Sequence, residues 1–118
     1  MSKKDNAVSF MFNVLSSSWE IIEIPGNDSL LMLDGERCQG ITYFDSHKIY
    51  IDKDMMPDKK RNTLLHELVH AVLFSTQVEV KKKYTEENLC DFIGMYGDLI
   101  HNTADLYFKQ QRNEKILS

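Results

Sequence analysis

No Gly or Pro interrupts the chain from Lys59 to Thr76, and that stretch constrains the fold more than any other. Gly and Pro are the residues that most oppose helix, so their absence over such a length favours one unbroken helix. Its start is marked too. Pro57 suits a first helical position, where its missing N–H is not needed, with Asp54 or Met56 just before it and Asp58 in the first turn. The first turns carry Lys59, Lys60 and Arg61, and from Leu64 to Phe74 the residues are apolar almost all round. A helix without a polar face is expected at the centre of a core.

The chain before this helix has strand grammar. Trp19 to Ile24 is rich in β-branched and aromatic residues and stops at Pro25-Gly26-Asn27-Asp28. Ser29 to Leu33 is a short apolar stretch of open type, followed by the turn signal Asp34-Gly35. Gly40 to Phe44 and His47 to Asp52 are separated by Asp45-Ser46 and suit a hairpin. In its second strand Ile49 and Ile51 alternate with Lys48, Tyr50 and Asp52, one face buried and the other more polar, as a strand at a sheet edge can be. His47, in the turn, reads as a surface residue.

After the central helix, Gln77 to Tyr84 with its run of lysines reads as an exposed connection. Thr85, followed by Glu86 and Glu87, reads as a helix cap with acids in the first turn. Leu89, Phe92, Ile93, Tyr96, Leu99, Ile100, Thr103 and Tyr107 then recur at helical spacing. Gly94 and Gly97 would let another helix approach closely, and a break is expected near His101-Asn102. Strands first and long helices after define an α+β class: a small mixed β-sheet packed on a central helix, with a second long helix, all in one domain over residues 1–118.

Composition narrows the function by exclusion. Fourteen Lys+Arg against 18 Asp+Glu leave a formal charge of −4, which argues against nucleic-acid binding through a basic surface. The run from Ala7 to Leu15 behind Lys3 and Lys4 mimics a signal peptide, but Asp5, Ser9 and Asn13 interrupt the pattern and no small-residue cleavage site follows. The run is too short to span a bilayer, so a cytoplasmic location is expected. Two cysteines, Cys38 and Cys90, are too few for a disulfide framework.

One constellation carries chemistry. His66-Glu67-Leu68-Val69-His70 lies inside the apolar helix, and residues four apart leave the same helix face one turn apart. Two imidazoles so placed can meet one Zn²⁺, while Glu67 projects beside them and can reach an attacking water rather than the metal. The plain alternative is a pair of core histidines beside a surface acid. A helix apolar on every side offers Glu67 no wet face, and burying these three groups unpartnered would cost several kcal/mol, on the order expected for buried polar groups. A bound cation removes that difficulty.

A catalytic zinc takes a third protein ligand and leaves a fourth position open. Glu79, Glu86, Glu87, Cys90, Asp91 and His101 all lie downstream. Glu87 fits best, in the first turn of a helix that can return alongside the first. Asp91, one turn later, is a candidate to hold a ligand histidine through its second ring nitrogen.

Thr63-Leu64-Leu65-His66-Glu67-Leu68-Val69-His70-Ala71 closely resembles the active-site helix of the ImmA/IrrE-type metallopeptidases, small gluzincins common in phages and other mobile elements. Tyr43 to Asp52 resembles the hairpin that leads into it. The resemblance extends from about Trp19 to Leu99. Downstream the family shows a glutamate ligand, then a small residue three positions on and Asn four positions on; here the register reads Glu87, Cys90 and Asp91, which agrees at the glutamate and departs at the other two.

The resemblance implies a zincin-like core and one catalytic Zn²⁺. It also implies a substrate peptide added along the strand Lys48, Ile49, Tyr50, Ile51 and Asp52 as a sheet edge. The expected function is a zinc metalloendopeptidase, with Glu67 as general base, that cuts a specific protein such as a repressor or regulator. No direct contact with nucleic acid or membrane is expected. The alternative is an inactive, zinc-containing module that binds a regulator.

Overall fold

The computed structural model describes residues 9–76 and 86–117. The basic start at Lys3 and Lys4, the connection from Gln77 to Tyr84 with Glu79, and the cap at Thr85 lie outside the described residues.

The fold is α+β, a mixed four-stranded sheet with two helices. Its strands are β1 (Ser9–Val14), β2 (Ser17–Ile24), β5 (Gly40–Tyr43) and β6 (Lys48–Asp52), followed by α1 (Pro57–Thr76) and α2 (Glu86–Leu117). Between β2 and β5 the chain makes a 3₁₀ turn (Ser29–Leu31) and a separate hairpin of β3 (Met32–Leu33) and β4 (Glu36–Arg37). The stretch left open by its sequence is this turn and hairpin. Asp34 at φ 52° and Gly35 at φ 82° are the two central residues of a turn whose positive φ angles suit the twist of paired strands.

The sheet order is β1-β2-β6-β5. β1 pairs antiparallel with β2, β2 parallel with β6, and β6 antiparallel with β5. The expected edge strand is therefore corrected. Lys48, Ile49, Tyr50, Ile51 and Asp52 are bonded on both sides, and the free edge beside α1 belongs to β5. Side-chain alternation reports which face of a strand is buried and is silent about its hydrogen-bonding edges.

Within the segment that mimics a signal peptide, Ser9–Val14 is β1, with Phe12 and Val14 in the core. Trp19 and Ile21 of β2 and Ile49 and Ile51 of β6 face the helices, where Leu64, Leu68, Ala71 and Val72 of α1 meet them. A smaller apolar cluster of Ile24, Leu31 and Ile41 lies apart, with Ile22, Tyr43 and Tyr50 against it.

α1 begins at Pro57 as expected, but it is not buried all round. Leu64, Glu67, Leu68, Ala71 and Val72 are buried, while Lys59, Asn62, His66, His70 and Phe74 are exposed at helical spacing along another side. The stripe is wet because the sheet and α2 pack on the other sides of the helix.

α2 also departs from expectation, running unbroken through His101-Asn102. Those two residues face solvent while Ile100, Thr103 and Ala104 on either side are buried, so packing carries the helix across them. Among the described residues no second helix approaches the glycines. A Cβ on Gly94 would meet nothing within 4 Å, and one on Gly97 would meet only Ile93 of the same helix.

Near its far end, the Tyr107 hydroxyl donates to the Glu23 carboxylate of β2, whose other oxygen accepts from Lys60 Nζ of α1 at 3.0 Å. Burial first, then the Glu23 hydrogen bond and charge, push the Tyr107 phenol far above its ordinary range. Arg61 and Asp105 form a further, more exposed ion pair between the helices at 2.9 Å. No helix among the described residues is long and apolar enough to cross a membrane.

Candidate active site

The helix period sorts the three motif residues by environment. His66 and His70, four apart, share the exposed stripe of α1, with ring centroids 5.0 Å apart and planes at 74°. Glu67, one residue on, is rotated about 100° from His66. It is turned toward β5 and is 7% exposed. The motif therefore divides into two wet imidazoles and one sheltered carboxylate.

That carboxylate has a partner. Thr42 of β5 donates its hydroxyl to Glu67 Oε1 at 2.6 Å. Strand alternation places Gly40 and Thr42 on the same face, toward α1, and both touch this turn of the helix. A Cβ on Gly40 would lie 2.7 Å from Thr63 Cγ2 and 3.2 Å from Glu67 Cγ, so only glycine lets the strand backbone settle onto the helix here.

His70 meets Phe44 edge-on at 6.4 Å between ring centroids, and Phe44 in turn meets Phe74 at 5.0 Å. His47 continues the ring chain inward. It lies 5.9 Å from Phe74 and stacks on Trp19 at 4.4 Å with planes 8° apart. His47 is thus half-buried rather than a surface residue, at φ 56°, with Nδ1 3.2 Å from the Ser18 carbonyl. A turn position fixes the backbone of a residue and leaves open whether its ring folds back onto the sheet.

Two clefts open beside the motif and share Gly40, His66 and Glu67. One, of about 290 Å³, is lined also by Leu33, Cys38, Ile41, Phe44 and His70. The other, of about 420 Å³, is bordered by Gln39, Lys59, Asn62 and Thr63. Thr42, Gly40, Phe44 and Cys38 escaped the sequence reading. Only Gly40 left a signal, because a glycine inside a strand marks a bulge or a close backbone approach.

Of the downstream candidates, Glu87, Cys90, Asp91 and His101, whose side chains the structure describes, form no metal-holding group with the histidines. Glu87 and Asp91 are exposed on the first turns of α2, and His101 is exposed farther along it. Among the described residues no three of His, Cys, Asp and Glu form a group that could hold a metal ion. Cys38 and Cys90 are both free thiols, the first half-buried and the second exposed. Imidazole nitrogen suits Zn²⁺ well, so the exposed pair could supply two of the three protein ligands that a catalytic zinc takes.

Comparison with known proteins identifies no relative: no family model, no curated protein and no solved structure matches this chain.

Proposed function

We propose that the protein is a zinc-dependent metallopeptidase of zincin-like build, similar to the ImmA/IrrE type, that cuts a specific regulatory protein. The observation that carries this reading is the division of labour on α1. His66 and His70 stand side by side at the surface, and Glu67 is held by Thr42 between two clefts, both bordered by His66 and one also by His70. A core histidine pair has no reason to face outward, and a purely structural metal site has no use for a sheltered carboxylate beside it.

In this reading His66 and His70 would hold one Zn²⁺, with Glu87 the proposed third ligand and Asp91 the proposed partner of a ligand imidazole, two residues that the structure does not gather with the histidines. A zinc ion held there would polarise a carbonyl and lower the pKa of water to about 7. The chain's own residues do the rest. Glu67 takes the proton of the attacking water and delivers it to the departing amine. Thr42 fixes the carboxylate in the orientation for that transfer. The free edge of β5 offers backbone groups to an extended peptide and so presents its carbonyl to the motif turn, a role that β6 has no open edge to fill. Both cysteines being free thiols supports a cytoplasmic setting, where thiols stay reduced.

Metal analysis and proteolysis of the same preparations test the proposal. Zinc is expected at one equivalent in the wild type and in Glu67→Gln, and is lost in His66→Ala, His70→Ala and Glu87→Ala. Cleavage of an unfolded protein substrate is expected to fall by about 10²–10⁴ in Glu67→Gln, the range for losing a general base. Full cleavage by Glu67→Gln would overturn the mechanism. Retained zinc in Glu87→Ala would remove that residue from the ligand set. Zinc binding with no cleavage by the wild type would favour the inactive regulator-binding module instead.

A further inference from the structure

The two clefts that meet at Gly40, His66 and Glu67 differ in chemistry: one runs along β5 and the other lies at the strand's N-terminal end. The smaller follows β5 toward its C-terminal end, and its outer walls are Leu33, Ile41 and Phe44. The larger lies at the Gln39–Gly40 end, beside the early turns of α1, and its walls are Gln39, Lys59, Asn62 and Thr63. Lys59 is exposed and makes no ion pair among the described residues, and the other charged group on this cleft is the Glu67 carboxylate that Thr42 holds. Leu33 is exposed at 53% because the β3–β4 hairpin carries it over the cleft rather than into the core.

We infer that this groove is polarised and selects an extended peptide with a large apolar side chain on one side of the Glu67 position and an acidic side chain on the other. A strand laid along the free edge of β5 crosses both clefts, because Gly40 is common to both. The apolar cleft removes a large side chain from water at its Leu33, Ile41 and Phe44 walls, which favours such a residue by tenfold or more, on the order of burying one aliphatic or aromatic group. At the other end an acidic side chain meets the Lys59 ammonium in partly exposed surroundings. That contact is worth at most about fivefold, and reversing the charge doubles the contrast in free energy. The cut itself depends on the peptidase reading; the binding preference does not.

The test uses the uncut complex and the reaction separately. Fluorescein-labelled eight-residue peptides in a Ser/Thr host carry Phe and Asp flanking the central bond, in both orders, with controls in which Lys replaces Asp or Ser replaces Phe. Binding to the Glu67→Gln protein is read by fluorescence anisotropy. One Phe/Asp order is expected to bind at least tenfold more tightly than its Ser control and several-fold more tightly than its Lys control. In a Lys59→Glu background the Asp-over-Lys preference inverts by about tenfold. In Leu33→Asp the Phe preference is lost. Both substitutions are at exposed positions, and circular dichroism confirms that they fold.

Equal binding of all peptides within twofold, no binding by any of them, or a charge preference unmoved by Lys59→Glu would overturn the inference. Wild-type protein incubated with a degenerate peptide mixture, with cut ends sequenced by mass spectrometry, separates the two claims. Cleavage without the apolar/acidic asymmetry removes the polarised groove and keeps the peptidase. The binding preference without cleavage keeps the groove and removes the peptidase.

Discussion

Thr42 sits where a single hydroxyl matters to both stability and chemistry. Its bond to Glu67 satisfies a carboxylate that is nine-tenths buried, and an unpartnered buried polar group costs about 1–3 kcal/mol. Thr42→Val keeps the shape and removes the donor. It is expected to lower stability by that amount in urea titrations followed through the fluorescence of Trp19, the sole tryptophan. An unchanged midpoint would show that the carboxylate finds another partner. Leu15 presents the opposite case. It occupies the tight turn between β1 and β2 at φ 54° and is 72% exposed, so a branched side chain holds a left-handed backbone and gains little burial for it. Leu15→Gly is expected to raise stability by about 1 kcal/mol, measured by the same titration. Neither position is visible in the sequence as special, since a Thr in a strand and a Leu before a Ser are ordinary.

Among the elements, α1 and α2 show where periodicity succeeds and where it stops. The start of α1 at Pro57 follows from local chemistry, and so it was legible. Its wet stripe was not, because counting apolar residues around a helix gives His66, His70 and Phe74 no preferred side. The sheet and α2 take other faces of α1, and the stripe is what remains. In α2 the expected break at His101-Asn102 is overridden by the buried residues around it. Its contact with β2 has a consequence at high pH. Tyr107 ionises far above its ordinary value near 10 in the folded protein, so between those values the unfolded chain has lost the proton that the folded chain keeps. Stability is then fully present below pH 10 and falls as pH rises above it. Urea midpoints measured from pH 8 to 11 are expected to decline for the wild type and to decline less for Tyr107→Phe. An identical slope in the two proteins would show that Tyr107 is not the group responsible.

At the scale of the whole molecule, one cluster joins β1, β2 and β6 to both helices: Phe12, Trp19, Ile21 and Ile49 meet Leu68, Val72, Phe92 and Tyr107. Each fully buried side chain of this kind contributes about 1.5–3 kcal/mol, so no element holds its share alone. Unfolding is expected as one transition, with Trp19 fluorescence and far-ultraviolet circular dichroism giving coincident curves. A helical signal that outlasts the tryptophan change would show that the long helices persist without the sheet.

The sequence by itself determined the α+β class, the strands around residues 19–24 and 40–52, the start of α1 and the grouping of His66 with His70, because turn residues, helix starts and the four-residue spacing act over a few neighbours. Only the tertiary structure decided which strand has the open edge, that His47 folds onto Trp19, and that Thr42 and Gly40 close on Glu67. Those outcomes depend on hydrogen-bonding edges and on contacts between segments far apart in the chain. No local pattern of side chains encodes either.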